Sequence, residues 1–334
     1  MTFLKNKTIM ITGGTGSFGH NCCYKLLRDF KDIKKIIIYS RDEFKQFEME
    51  KIFPEQKYPN LRFLIGDVRD KHRLKIAMEN TDIVIHAAAL KQVDKAEYNP
   101  QEYIRTNILG AENIVECSIS NNVANIIALS TDKASSPINL YGATKLCSDK
   151  LFLSANNIKG RKDIKFSVVR YGNVMGSRGS VLPFFLKQKK EIPITDKRMT
   201  RFNISIEQSV EMVVWALKNN KGGEIFVPKI PSFRIIDLAK AINTNVKHKI
   251  IGIRPGEKLH EELISEYDGM KTVDLGKYYA ILNNFSSKEI ENYLKKIKGK
   301  KVKKNFIYNS YDNQKYLNIS ELKTEVKKFK LKNK

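Results

Sequence analysis

The run Thr8-Ile9-Met10-Ile11-Thr12-Gly13-Gly14-Thr15-Gly16-Ser17-Phe18-Gly19 carries an apolar strand straight into a cluster of glycines. Leu26 and Leu27 then begin the apolar face of a following helix. Glycines at these places permit a tight turn, let the backbone approach a pyrophosphate and let the helix pack closely on the strand. The helix N-terminus then receives the anion. Strand, glycine turn and helix together predict the opening unit of a dinucleotide-binding α/β fold. Gly13, Thr15, Gly16, Ser17, Phe18 and Gly19 are the candidate cradle for the diphosphate.

Outward from that unit the pattern repeats. Strands are expected near 7–12, 35–39, 61–66, 81–87, 124–129 and 165–170, with helices near 17–30, 42–52, 70–79, 100–121 and 138–156. Apolar strands alternating with helices over short connections predict a Rossmann-type doubly wound parallel sheet in residues 1–170. Beyond Arg170 the pattern turns irregular, punctuated by Pro183, Pro193, Pro228, Pro231 and Pro255. Residues 171–334 are expected to form mainly a smaller C-terminal substrate-binding domain, with parts of 205–230 completing the sheet.

Strand two, Lys35-Ile36-Ile37-Ile38-Tyr39, ends in Ser40-Arg41, with Lys45 one helical turn on. An NAD site places an acidic residue about 20 positions past the glycines, on the ribose 2′-hydroxyl. A hydroxyl, a guanidinium and an ammonium instead suit a 2′-phosphate, Arg supplying a planar two-pronged contact. This favours NADP over NAD, with Asp42 and Glu43 assigned to the first turn of the next helix. Asp67, closing strand three, is a candidate for the adenine amine, with Val68 beside it. Ala87, Ala88 and Ala89 leave room for the cofactor after strand four. His86 is expected as a packed, hydrogen-bonded residue and Asn107 as a backbone brace inside the fourth helix.

The formal charge of +24 invites a nucleic-acid reading. Lys outnumbers Arg 47 to 13, whereas readers of bases and phosphates lean on Arg forks. Residues 288–334 hold 15 Lys against 5 acidic residues, and no zinc-knuckle, RNP-type or helix-turn-helix signature accompanies them. No dedicated nucleic-acid or membrane partner is expected. Cys22, Cys23, Cys117 and Cys147 show neither metal-ligand nor disulfide spacing, and no metal site is expected. With no signal peptide and no apolar run near the roughly 20 residues needed to cross a bilayer, a cytoplasmic protein is expected.

Two later segments carry chemistry: Ser130-Thr131-Asp132-Lys133-Ala134 and Tyr141-Gly142-Ala143-Thr144-Lys145. A Tyr and a Lys four residues apart lie roughly 40° apart on one helical face. The Lys145 ammonium would favour phenolate at Tyr141, whose reference pKa is about 10, making it a base for an alcohol being oxidised. Asp132 and Lys133 add a proton donor or acceptor beyond what hydride transfer needs. Pro137 is placed to start the helix that bears Tyr141.

GGTGSFG, HAAA, the helical Asn, STDKA and YGATK, in this order, resemble the extended short-chain dehydrogenase/reductase family. The RYGNV segment (170–174), Thr200-Arg201-Phe202, EIFVPK (224–229) and IRPGEKLHE (253–261) narrow the resemblance to the inverting UDP-N-acetylglucosamine 4,6-dehydratases. Related capsule dehydratases tend to have Met where Tyr141 stands, which favours the branch feeding flagellin sugars of the pseudaminic-acid type. The Gln92-Val93-Asp94 stretch departs from the family, which often has Pro at its third position. The resemblance implies a redox-neutral hydro-lyase with UDP-N-acetylglucosamine as substrate partner and a homo-oligomeric state. A nucleotide-sugar 4-epimerase, which shares the fold and the YxxxK pair but needs no Asp-Lys pair, is the alternative enzyme; a non-catalytic NADP-binding regulator is the other. Under the resemblance Tyr141 accepts the C4 hydroxyl proton, with Lys145 holding the nicotinamide ribose. Thr131, or Ser130, bonds the C4 oxygen. Protonated Asp132 donates to the departing C6 hydroxyl, and neutral Lys133, its pKa depressed by burial and by Lys145 or Lys91, removes the C5 proton; the two roles are interchangeable at this level. Lys91, Asn173, Arg201 and Arg254 fall to the substrate side, the last three toward diphosphate, and Glu257 to ribose hydroxyls.

Overall fold

Six parallel strands, β1 (Thr8–Thr12), β2 (Lys35–Ser40), β3 (Leu61–Ile65), β4 (Ile83–His86), β5 (Asn125–Thr131) and β6 (Lys165–Tyr171), stand side by side in the order β3-β2-β1-β4-β5-β6. The computed structural model describes residues 3–177, 179–188, 190–243, 247–282, 285–297 and 299–332, so Lys298, Asn333 and Lys334 of the lysine-rich tail lie outside it. Helices α1 (Ser17–Asp29), α2 (Glu43–Ile52) and α3 (Lys71–Ala77) follow the first three strands. Every side chain of β1 is buried, the pattern of a parallel strand covered on both faces. The doubly wound parallel sheet expected from the sequence is therefore the fold.

Strand order reverses between β1 and β4, which opens a crevice beyond the strand ends. There Thr12 Oγ1 lies 2.8 Å from His86 Nδ1, and the Phe152 ring packs 5.5 Å from the imidazole. Burial, with Lys145 adding to it, pushes His86 down to about 3. This histidine is a packing residue, neutral at any working pH.

The fourth helix is not one helix. After β4 the chain forms α4 (Val93–Tyr98), α5 (Pro100–Tyr103), a π-helical turn over Ile104–Leu109 and then α6 (Gly110–Ser120). The wide turn seats Asn107, whose amide brackets Leu90: Oδ1 accepts from Leu90 N and Nδ2 donates to Leu90 O, each at 2.9 Å. Nδ2 also donates to Thr144 Oγ1 at 3.1 Å. A helix widened at one polar residue is a recurrent mark of functional sites. α4 begins at Val93, inside the segment that departs from the family pattern.

β5 runs two residues further than expected, so Ser130 and Thr131 belong to the strand and Asp132–Ala134 form a single 3-10 turn. α7 (Leu140–Ile158) then carries Tyr141 and Lys145. Its cap is Asn139, whose side chain accepts from Gly142 N at 2.7 Å, and not Pro137, which precedes the cap.

Past Arg170 the sheet continues. Ile225–Pro228 pairs in parallel with β6, and three antiparallel strands, Tyr278–Ile281, Thr272–Asp274 and Lys300–Lys301, extend it to ten. Ile225–Pro228 lies in the 205–230 stretch expected to complete the sheet, and residues 272–301 add three strands beyond it. Its remainder includes a small sheet of Asn173–Val174, Thr200–Ile204 and Ser232–Arg234. A second apolar cluster holds Leu182, Phe185, Met199, Phe233, Leu238, Leu322 and Val326. The last two lie on helix Ile319–Lys332, so the apolar face of the lysine-rich tail is tied into the fold. No helix among the described residues is long and apolar enough to cross a membrane.

Candidate active site

The crevice holds a cleft of about 210 Å³ lined by Gly13, Thr15, Ser40, Arg41, Lys45, Asp67, Val68, Ala88 and Ala89, among others. Gly13 has φ +64°, and a Cβ on it would sit 2.8 Å from the Ala88 backbone. A Cβ on Gly19 would lie 2.1 Å from Gly14 O. The glycines are thus required first by the close passage of the chain against itself. Gly16 caps α1 without any side-chain hydrogen bond, and Ser17 and Phe18 open the helix, so the cap leaves the first-turn N–H groups to a ligand. Ala87 follows β4, its N–H donating to Thr12 O at 3.2 Å. A bare helix N-terminus, closed glycine positions and a polar cleft at the switch point fit a dinucleotide.

At the far end of that cleft the charges are shared. Asp42 caps α2 and binds Lys45 through both its backbone and its ammonium. Arg41 stands 3.8 Å from Asp67. Asp67 is clamped by Arg69 at 2.7 Å, so it is not the free acceptor expected for an adenine amine. Of the groups assigned to a 2′-phosphate, Arg41 is the least engaged.

Thr131, Asp132, Lys133 and Tyr141 meet at the end of β5. The Thr131 hydroxyl donates to Asp132 Oδ1 at 3.0 Å and lies close enough to the Tyr141 phenol to draw its pKa down. Lys133 Nζ lies 3.1 Å from Asp132 Oδ1 and 3.0 Å from Glu261 Oε1. Ser130 turns elsewhere, donating to Asp149 Oδ2 at 2.7 Å, so Thr131 alone of the two faces this cluster.

The electrostatics differ from expectation at two places. Burial works against the Lys133 ammonium, but the Asp132 and Glu261 carboxylates outweigh it and raise its pKa. Lys133 is therefore held charged, not neutral, and its closest charged neighbours are anions, not Lys91 or Lys145. Tyr141 is pushed up to about 12 by burial, and the cation that most draws it back is Lys133, not Lys145. Asp132 is pushed up by burial, pulled down by Lys133 and raised again by Glu261, which suits a carboxylate ready to accept a proton from Lys133. Burial lowers Lys145 and Asp149 raises it.

On the substrate side Arg201 is 5% exposed. Its Nη1 donates to Thr200 O at 2.7 Å and Leu259 O at 3.1 Å, and its Nη2 reaches Glu257 Oε1 at 3.4 Å. Arg254 pairs with the same Glu257 oxygen at 3.2 Å. Arg201, Arg254 and Glu257 thus form one group, each already engaged. Asn173 and Asn203 bring buried Oδ1 atoms with no partner among the described residues to a small cavity lined also by Ser180 and Phe233. Lys91 stands just beyond Leu90, and desolvation lowers its pKa.

Residues 9–283 match the family model described as "Polysaccharide biosynthesis protein". The chain belongs to this family. It is 55% identical to a Campylobacter jejuni protein named UDP-N-acetylglucosamine 4,6-dehydratase (inverting), over 95% of this chain and 96% of that one. It is 44% identical to a Rickettsia bellii protein named UDP-glucose 4-epimerase, over 95% of this chain and 94% of that one. Pen from Bacillus thuringiensis superposes with TM-score 0.88 at 35% identity, covering 99% of this chain and 100% of that one. These relatives place the chain among the extended short-chain dehydrogenase/reductases that its motifs resemble.

Glu261 was not singled out from the sequence, although it ends the IRPGEKLHE segment. Nothing in spacing announces that a carboxylate so far along the chain meets Lys133. Arg170 was another omission. Fully buried, it bridges Asp149 at 3.3 Å and Asp268 at 2.9 Å behind α7.

Proposed function

We propose that this enzyme removes water across C5 and C6 of UDP-N-acetylglucosamine, inverting C5, in the cytoplasm. The product would be UDP-2-acetamido-2,6-dideoxy-β-L-arabino-hex-4-ulose, a precursor of pseudaminic-acid-type sugars such as those of flagellin. The observation that carries this reading is the partly buried Lys133–Asp132 contact of 3.1 Å beside Thr131 and Tyr141. The 55% identical relative named for that reaction supports it.

A nicotinamide dinucleotide, which we take to be NADP, would supply two-electron oxidation at sugar C4 and its reversal at C6. The glycine turn and α1 would hold its diphosphate, Ser40 and Arg41 its ribose phosphate, and Lys145 the nicotinamide ribose. Tyr141, acting as the phenolate, takes the C4 hydroxyl proton, with Thr131 bonding the same oxygen. A ketone at C4 makes the C5 proton acidic. Lys133 is the base for it once its own proton has crossed to Asp132, and that single transfer leaves Asp132 protonated to release the C6 hydroxyl as water. One proton movement therefore arms base and acid together. Inversion asks that the C5 proton return on the opposite face, for which Tyr141 is the donor.

The relative named as an epimerase gives a second reading, interconversion at C4 without loss of water. Proton spectra of the product formed from UDP-N-acetylglucosamine in heavy water separate the two. A C6 methyl signal with deuterium at C5 supports dehydration, and a retained C6 hydroxymethyl overturns it. Lys133→Ala should block deuterium entry at C5; undiminished exchange would move the base elsewhere.

A further inference from the structure

Glu261 has no role in the steps above, yet it is buried beside them. It is 2% exposed, its Oε1 lies 3.0 Å from Lys133 Nζ, and Arg201 Nε stands 3.7 Å from the same oxygen. Its backbone is pinned from the C-terminal part of the chain: Glu261 N donates to Ser310 Oγ at 2.9 Å, and Ser310 N donates to Glu261 O at 2.8 Å. Ser310 Oγ in turn lies 2.7 Å from Thr200 Oγ1, next to Arg201. Two segments distant in sequence thus hold one carboxylate against Lys133. A buried charge is costly unless closely paired, so a carboxylate fixed here without a function would be a liability.

We propose that Glu261 is a positioning residue: it holds Lys133 in place and sets where the proton of the Lys133–Asp132 pair rests before elimination. Lys133 Nζ has a carboxylate on either side, at 3.1 Å and 3.0 Å. The two carboxylates are not equivalent. Glu261 has Lys133 and Arg201 beside it, with Lys258 also acting on it, and despite burial these cations hold its carboxyl below the usual range. Among the described residues Asp132 makes an ion pair with Lys133 alone, and burial together with the Glu261 charge raises it. Glu261 is therefore the member that stays ionised. Its charge favours the protonated forms of both neighbours, ammonium at Lys133 and carboxylic acid at Asp132. The other charged or titratable groups facing this cluster are Tyr141 from α7, and Glu257 and Glu262 from the segment around Glu261. Glu262 is turned to Ser135 and Ser136, at 3.2 Å and 2.8 Å. Glu257 is shared with Arg254 and Arg201. Neither replaces Glu261 at Lys133.

This inference rests on the dehydratase reading for its meaning, but it can be tested apart from it. The cofactor-loaded enzyme is compared with Glu261→Gln and Glu261→Asp in two ways: the pH profile of kcat on UDP-N-acetylglucosamine, and lysine Nζ NMR titration without any nucleotide sugar, with Lys133→Ala assigning the signal. Loss of one adjacent charge predicts that Glu261→Gln lowers the Lys133 midpoint by about one pH unit or more. Both limbs of the rate profile should move to lower pH with it. Glu261→Asp, keeping the charge, should lie between Gln and wild type. A Gln variant that loses rate while midpoint and limbs stay put would overturn the proposal and leave Glu261 a structural residue. If the Gln variant does not fold, an Asp variant with an unmoved midpoint would do the same. Should the wild type form no 6-deoxy product, the dehydratase reading falls, while the titration still decides Glu261.

Discussion

Asn107 Nδ2 donates to Thr144 Oγ1 at 3.1 Å, and this contact ties the π-helical turn to the helix that carries Tyr141 and Lys145. The same amide satisfies both backbone groups of Leu90, at the exit of β4. Asn107→Leu fills the same space but leaves those buried groups unpaired, at about 1–3 kcal/mol each. Thermal unfolding should show a fall in Tm of several degrees, and kcat should drop as the two helices lose their mutual register. An unchanged Tm would mean that water replaces the amide.

Tyr141→Phe retains packing at a site 9% exposed but removes the proton acceptor. The kcat for C4 oxidation should fall roughly 10²–10⁴-fold, the usual worth of a positioned acid or base. Cofactor affinity, read by fluorescence titration, should be preserved. Near-normal turnover would remove Tyr141 from its assigned step.

The proposed 2′-phosphate contact makes Arg41 the discriminating residue for the cofactor. Arg41→Ala should weaken NADPH binding roughly tenfold or more, the value of one or two charge-assisted hydrogen bonds, while NADH binding changes little. Equal losses for both would assign Arg41 to the diphosphate or to Asp67 instead.

His86 makes a prediction about acid. Its pKa is pushed down to about 3 by burial, against about 6.5 in an unfolded chain. Between those values the unfolded state binds the proton and the folded state does not. Stability from this residue is thus complete above about 6.5 and is lost as pH falls toward 3. The loss of Tm between pH 6.5 and 4 should be shallower in His86→Asn, whose side chain can still bond Thr12 but does not titrate. Parallel curves would show that the slope comes from carboxylates alone.

Much of the fold was legible because local pattern and global architecture agree. Apolar runs such as Ile36-Ile37-Ile38 read as buried parallel strands, and the glycine turn marked the crevice. The residues proposed for catalysis were also visible as a cluster, because a short turn after β5 delivers Asp132 and Lys133 beside the start of α7. What sequence could not give was anything that depends on distant segments meeting. The charge state of Lys133 reversed because Glu261 arrives from the far half of the chain. Ile225–Pro228 falls in the 205–230 stretch expected to complete the sheet, but the three antiparallel strands between 272 and 301 lack the strand–helix rhythm of the first half. Likewise the break in the fourth helix arises from Asn107 bonding Leu90 and Thr144, which no helical periodicity encodes.

Arg201 spans 3.4 Å to Glu257 and 3.7 Å to Glu261 with the two nitrogens Nη2 and Nε. A single guanidinium therefore stands between the carboxylate assigned to the nucleotide and the one that governs proton placement. Attempts to redesign this protein for a different nucleoside by altering Glu257 would disturb its acid–base balance as well. Changing the handle of the substrate and preserving the chemistry on its sugar are coupled problems here, and compensating substitutions at Arg201 would have to solve both at once.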